Sequence, residues 1–187
     1  VAAEPGQNIH LTIDNVLQKK AESLLQGVAG AAVAMDPGSG RILALASSPS
    51  FDQNYFASGM SHEQWDSLIS NPFRPMENKA IQGEYPPGST YKVITALAGL
   101  EEGVIDESTE FFCPGYHRFG NRIYRCWKRG GHGKVNIVKA LAQSCDVYFY
   151  QVGQLLGVDR LAWYAKAGGL GSRTGINLGK EGRGLIP

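Results

Sequence analysis

The chain has 187 residues, 43% hydrophobic and 19% charged, enough apolar side chain for a folded core and too much for a disordered polymer. Eighteen Lys+Arg against 17 Asp+Glu leave a net charge of +1, which provides no global footprint for nucleic acid or an anionic membrane. Its longest apolar stretches, such as residues 28–35, fall far below the ~18 residues that span a bilayer, nothing at the N-terminus reads as a signal peptide, and three cysteines cannot form a disulfide scaffold.

In chain order, Ile13, Val16, Leu17, Ala21, Leu24 and Leu25 form a helical stripe with Thr12 or Asp14 as its cap. Two apolar runs, 28–35 and 41–46, flank Asp36-Pro37-Gly38-Ser39-Gly40 and predict a β-hairpin. Neither run alternates with polar residues, so both faces of the hairpin are expected to be covered. Ser61-His62-Glu63-Gln64 opens a short helix with a capping-box pattern, which Asn71-Pro72 stops. Pro86-Pro87-Gly88-Ser89 feeds an amphipathic helix ending near Gly103. Residues 113–134 lose periodicity and gain Gly and Arg, so they read as a long irregular loop, which needs a reason to be ordered. Helical patterning returns at 137–142, 147–156 and 161–167, with Gly157 and Gly168 as stops. A two-stranded hairpin is marginal alone; nothing after Gly168 reads as its partner, so neighbouring strands are expected in sequence outside this chain.

Ser89 and Lys92 form Ser-x-x-Lys at a helix start, where three-residue spacing puts both side chains on one face. An ordinary lysine is protonated at neutral pH, so a lysine acting as the base for serine needs surroundings that favour the neutral amine. The helix N-terminus adds N–H groups and partial positive charge for a developing oxyanion. As ordinary structure, this is a helix-start serine and a solvated lysine. Fifty-five residues on, Ser144-Cys145-Asp146 precedes an apolar helix. Ser144 reads either as that helix's N-cap or as a relay between Lys92 and a leaving amine, with Asp146 holding the network.

Together, Pro-Pro-Gly-Ser89-Thr-Tyr-Lys92 and Ser144-Cys-Asp146 resemble the first two motifs of penicillin-binding transpeptidases. The segments 34–49, Asn78-Lys79-Ala80-Ile81-Gln82-Gly83 and 144–150 resemble the elongation-type class B penicillin-binding proteins, the penicillin-binding protein 2 group. The resemblance covers nearly the whole chain. It implies a penicillin-binding transpeptidase (serine β-lactamase-like) α/β fold, here an early hairpin with surrounding helices and without the later sheet strands, so that residues 1–187 are the N-terminal portion of a transpeptidase domain. It implies Ser89 as the acylated nucleophile attacking D-Ala-D-Ala stem peptides or a β-lactam ring, Lys92 as its base, Ser144 and Asp146 as the second motif, and the Ser89 N–H as half of an oxyanion hole. Asp146 stands where the common form of that motif has Asn. The third motif, Lys-Thr/Ser-Gly, is missing: Lys180-Glu181-Gly182 lies too close behind the second motif and carries an anion where a substrate carboxylate must bind. Loss of one oxyanion donor costs about 100- to 1000-fold, so this portion alone is expected to be inactive.

By the same resemblance the intact enzyme is a peptidoglycan D,D-transpeptidase and β-lactam target, anchored by a segment absent here and facing the periplasm, with a glycan-polymerising membrane protein and elongation scaffolds as partners. Two alternatives remain: a serine β-lactamase, disfavoured because Asp159 and Glu181, the only acids after Asp146, stand in no deacylating motif; and a β-lactam-sensing or structural relative.

Cys113, Cys126, His132 and Cys145 follow a Cys-x12-Cys-x5-His-x12-Cys spacing that fits no standard zinc finger. Placement makes them a candidate structural zinc site: three lie in or beside the 113–134 loop and the fourth inside the Ser144-Cys145-Asp146 motif. Arg118, Arg122, Arg125, Lys128, Arg129 and Lys134 crowd the loop without an acid among them and would offset thiolate charge; a solvated surface, or contact with anionic lipid or glycan, are the other readings. Some elongation-type relatives resemble this arrangement with a structural zinc. The alternatives are a Cys113–Cys126 disulfide with Cys145 as a buried thiol, and His117 in place of His132.

Overall fold

Asp14 opens the first helix of the computed structural model, which describes residues 6–186. Its carboxylate accepts from the N–H groups of Val16 and Leu17 at 2.9 Å each and caps α1 (Asn15–Leu24), the role expected of Thr12 or Asp14. The helix packs on an antiparallel hairpin of β1 (Gly30–Met35) and β2 (Ile42–Ser48). There the Gln18 amide donates to Leu45 O at 3.1 Å and accepts from Leu45 N at 2.7 Å, doing for that residue what a further strand would do. Ala44 and Ala46 of β2 are buried, but β1 alternates half-buried and exposed positions, with Val33 51% and Met35 57% exposed. Among the described residues the expected cover is therefore complete on neither face of β1. Every residue of Gly30–Met35 is apolar or glycine, so hydropathy could not reveal the alternation.

Two short helices follow, α2 (Asn54–Ser58) and α3 (His62–Ile69), the second opened by the capping box expected at Ser61 and Gln64. In α4 (Lys79–Gln82), capped by Asn78, the buried Lys79 ammonium donates to Arg74 O at 3.0 Å. These elements belong to one compact unit, Val1–Glu84 with Leu178–Gly182; Gly182 N donates to Ile81 O at 2.9 Å within it.

The second unit, Tyr85–Asn177 with Arg183–Pro187, holds the predicted motifs. A 3-10 turn at Gly88–Tyr91 runs into α5 (Lys92–Glu101). Four short strands come next: β3 (Phe111–Cys113), β4 (Tyr116–Phe119), β5 (Arg122–Arg125) and β6 (Gly133–Val135). They lead to α6 (Ile137–Ala142), α7 (Asp146–Leu156) and α8 (Val158–Ala167). The core centres on α7, where Val147, Tyr148 and Val152 are fully buried with Ala96, Ala98, Ile105 and Val135. Gly99 permits the approach of α5 to α7, since a Cβ there would lie 2.9 Å from Val152 Cγ1.

Residues 113–134 are not an irregular loop. β3 pairs with β6 across Cys113↔Gly133, closing the segment at its base, and β4 pairs with β5 as a hairpin beyond it. Strands of three and four residues are too short to print a period of two, so they escape a periodicity argument. The segment crosses itself where Gly115 (φ 95) and Gly131 (φ 76) meet: a Cβ on Gly131 would stand 2.1 Å from Cys113 O, and one on Gly115 2.2 Å from Arg129 O. Only glycine fits either position. The N-cap position of α7 is also corrected. It belongs to Cys145, while Ser144 adopts a left-handed backbone with φ 51.

Candidate active site and cysteine–histidine cluster

Lys92, the first residue of α5, is 12% exposed and turns its side chain onto the segment before α7. Its Nζ donates to Ser144 O at 2.9 Å, Ser144 Oγ at 2.9 Å and Asp146 Oδ1 at 2.6 Å. An ammonium has three N–H groups, and these three acceptors use them all. Ser144 Oγ in turn donates to Ser89 Oγ at 3.0 Å. The four residues singled out by sequence thus converge, with Ser144 as the link between Lys92 and Ser89 instead of a direct amine–hydroxyl bond. A left-handed non-glycine residue stores about 1–3 kcal/mol of strain and persists only where its surroundings over-determine it; at Ser144 it brings a hydroxyl between amine and serine.

Asp146 Oδ2 accepts from the Trp127 backbone N–H at 3.1 Å, so both carboxylate oxygens are engaged. Ser89, Lys92 and Asp146 open on a cavity of about 630 Å³, walled by Tyr91, Tyr124 and Tyr150. Burial, and then the Asp146 carboxylate, raises the Tyr150 phenol above its ordinary value, which keeps it a neutral hydrogen-bonding group. Sequence reasoning missed Trp127, because the group that reaches Asp146 is a backbone N–H that every residue but proline has.

Behind this network the ends of the short strands bring Cys113, Cys126 and His132 to Cys145 at the N-cap of α7, and the ligand atoms of all four lie within 4.8 Å of one another. His132 Nδ1 is 3.6 Å from Cys113 Sγ and 3.5 Å from Cys126 Sγ. All three cysteines are free, buried thiols, so the Cys113–Cys126 disulfide is not formed. His117, the alternative ligand, lies elsewhere, its Nε2 bonded to Gln154 Oε1 at 2.9 Å. Burial and neighbouring Lys128 lower the His132 pKa, which favours the neutral ring, and its Nδ1 is the nitrogen turned toward the sulfurs. Its Nε2 is buried without a partner, leaving the imidazole's polar contacts on the cluster side. Burial, with the adjacent thiols, pushes Cys145 up to about 12.

The donor set fits a tetrahedral zinc ion. Bond lengths of ~2.3 Å to sulfur and ~2.0 Å to nitrogen imply a sulfur–nitrogen edge of about 3.5 Å, the separation found here on two edges. A cation would also remove the cost of crowding three thiols, by taking them as thiolates. Among the described residues, none of the six basic side chains of the 113–134 segment is in a salt bridge, and Lys128 is close enough to act on His132.

A hydroxyl–hydroxyl–amine chain at a helix start has the chemistry that acyl transfer through a serine requires. The family model of the penicillin binding protein transpeptidase domain matches residues 30–187, and the chain belongs to that family. Its mixed α/β fold is that domain's fold. Among relatives, it is 43% identical to the peptidoglycan D,D-transpeptidase MrdA of Acinetobacter baumannii over 184 residues, covering 97% of this chain and 27% of that protein. It superimposes on the crystal structure of Pseudomonas aeruginosa PBP2 in complex with WCK 5153 with a TM-score of 0.90 at 41% identity, covering 98% of this chain and 42% of that one. On Helicobacter pylori PBP2 in complex with MreC the TM-score is 0.89 at 35% identity, covering 94% and 33%. The chain therefore spans less than a third of the curated relative's length. Among the described residues no helix is long and apolar enough to cross a membrane.

Proposed function

We propose that the intact protein is a peptidoglycan D,D-transpeptidase and a target of β-lactams, and that Ser89 is its acylated nucleophile. The observation that carries this reading is the Lys92–Ser144–Ser89 relay, with its 2.9 and 3.0 Å links, opening on a cavity within a domain of this family. Ser89 Oγ attacks the carbonyl carbon of the penultimate D-Ala. The C–O bond forms, the C–N bond breaks, and terminal D-Ala leaves as an amine. An acceptor amine then attacks the ester, forms the cross-link and returns Ser89.

Proton movement follows the relay. In the arrangement described, Lys92 donates to Ser144 and Ser144 to Ser89, the direction that delivers a proton toward a leaving amine. Removing the Ser89 proton runs the same path backwards: both hydroxyls rotate and the proton passes through Ser144 Oγ to Lys92 Nζ. Asp146 holds the amine in place, and the Ser89 N–H at the start of the 3-10 turn is one oxyanion donor. The sequence has no Lys-Thr/Ser-Gly triplet; the second donor and the carboxylate anchor are assigned to that motif in the intact protein, and residues 1–187 alone are proposed to be inactive.

Cys113, Cys126, His132 and Cys145 are proposed to hold one structural zinc, whose binding free energy would be folding free energy for the 113–134 segment. A periplasm-facing, membrane-anchored enzyme partnered by a glycan polymerase and an elongation scaffold is proposed on the likeness to PBP2, one relative of which has been solved with MreC. Labelling of the intact protein with a fluorescent penicillin, beside a D-Ala release assay on stem peptide, tests the activity. Wild type should label and hold the label, because slow deacylation separates a transpeptidase from a β-lactamase, and Ser89→Ala should not label. Persistent labelling of a folded Ser89→Ala protein would overturn the assignment.

A further inference from the structure

Ser144 holds its strained backbone because the peptide groups on both sides of it are tied. On the C-terminal side, Ser144 O accepts from Lys92 Nζ at 2.9 Å and Cys145 N donates to Ala140 O at 2.9 Å. On the N-terminal side, Ser144 N donates to Leu141 O at 3.1 Å, and Gln143 O accepts from the Trp127 indole Nε1–H at 3.0 Å. Trp127 also supplies the backbone N–H that fixes Asp146 Oδ2. One residue therefore grips the chain on either side of Ser144, at Gln143 and at Asp146. Its own position is set by the cluster: it follows Cys126 directly, and its indole meets the His132 ring edge-on at 5.4 Å. Yet Trp127 is 64% exposed, so core burial does not account for a large aromatic side chain here.

We propose that Trp127 is a positioning residue for acyl transfer. Its indole N–H on Gln143 O and its backbone N–H on Asp146 Oδ2 hold Ser144 in the left-handed conformation that links Lys92 to Ser89, and so transmit the order of the cysteine–histidine cluster to the nucleophile. This rests on the reading of Ser89 as nucleophile and Ser144 as relay. Substitution leaves the backbone donor in place, and an isosteric ring without the N–H removes only the indole bond, so the two contributions separate.

The test is the acylation kinetics of the intact protein with a fluorescent penicillin, resolved into a binding constant and a first-order acylation rate, with metal content and melting temperature measured on the same samples. Two variants are compared with wild type: Trp127→Phe, and Trp127 replaced by benzothienylalanine, which keeps the bicyclic shape and lacks the N–H. Misplacement of a reacting group by about 1 Å costs on the order of 100-fold, so a loss of about 10- to 100-fold is expected in the acylation rate of both variants. Binding constant, metal content and melting temperature should stay near wild type. A wild-type rate in either variant overturns the proposal, as does a loss that tracks metal and melting temperature in both, which would make Trp127 a purely structural residue. Absence of Ser89 labelling in wild type would instead overturn the proposed function on which it rests.

Discussion

Lys92 has no donor left over: Ser144 O, Ser144 Oγ and Asp146 Oδ1 engage all three N–H groups. Removing it deprives Ser144 of two bonds and leaves Asp146 without its cation, so Lys92→Ala should lower the acylation rate about 100- to 10,000-fold, the range for a positioned acid–base group. Stopped-flow labelling of the intact protein reads this directly, and a loss under about tenfold would remove Lys92 from the proton path. At this scale much was legible. Ser89, Lys92, Ser144 and Asp146 have side chains whose chemistry shows in the letters, and their spacing brought them together. The φ of Ser144 was not legible, because backbone torsion follows from the four hydrogen bonds on the two peptide groups that flank it and not from serine itself. Nor was Trp127, whose two contacts are one backbone donor and one indole aimed at a carbonyl.

Elements explain how distant ligands meet. β3 and β6 pair so that Cys113 stands opposite Gly133, which brings His132 beside it, and the β4–β5 hairpin returns the chain so that Cys126 N bonds Gly115 O at 2.9 Å. The crossing of Gly115 and Gly131 admits no side chain. Gly131→Ala should therefore displace Cys113 and cost more than the ~1–3 kcal/mol of a strained left-handed residue, with loss of bound metal. Elemental analysis of purified protein should give one zinc per chain for wild type and well under one for the variant. A fully loaded, normally stable Gly131→Ala protein would disconnect the crossing from the cluster. Helices were readable from apolar periodicity and caps, as at Asp14 and Ser61. The strands were not, because each is three or four residues long and their order comes from pairing partners up to 24 residues away, as in Phe111↔Val135.

For the molecule as a whole, the cluster ties stability to pH and, on the proposed zinc site, to metal. In metal-free protein the His132 pKa is lowered on folding, so the unfolded chain binds the extra proton first: the stability held by the neutral ring is present above the unfolded value of ~6.5 and is lost as pH falls through it. The proposed zinc would add the protons of the thiols to that balance, since burial pushes Cys145 up to about 12 and its proton would leave in exchange for the metal. Chelation at neutral pH should lower the melting temperature, and metal-loaded protein should lose its advantage in acid; calorimetric melts between pH 5 and 8 on both forms check this, and superimposable curves would rule out a structural ion. Sequence periodicity does not show that residues 178–182 rejoin the first unit, because that return depends on backbone bonds such as Gly182 N to Ile81 O. Ser144, Cys145 and Asp146 are consecutive, yet the middle one faces the cluster while its neighbours hold Lys92. An agent that strips metal or oxidises a thiol would act through the peptide bonds of Cys145 without entering the cavity. Its inhibition would be non-competitive with stem peptide and with β-lactam alike, and additive to a drug that occupies Ser89.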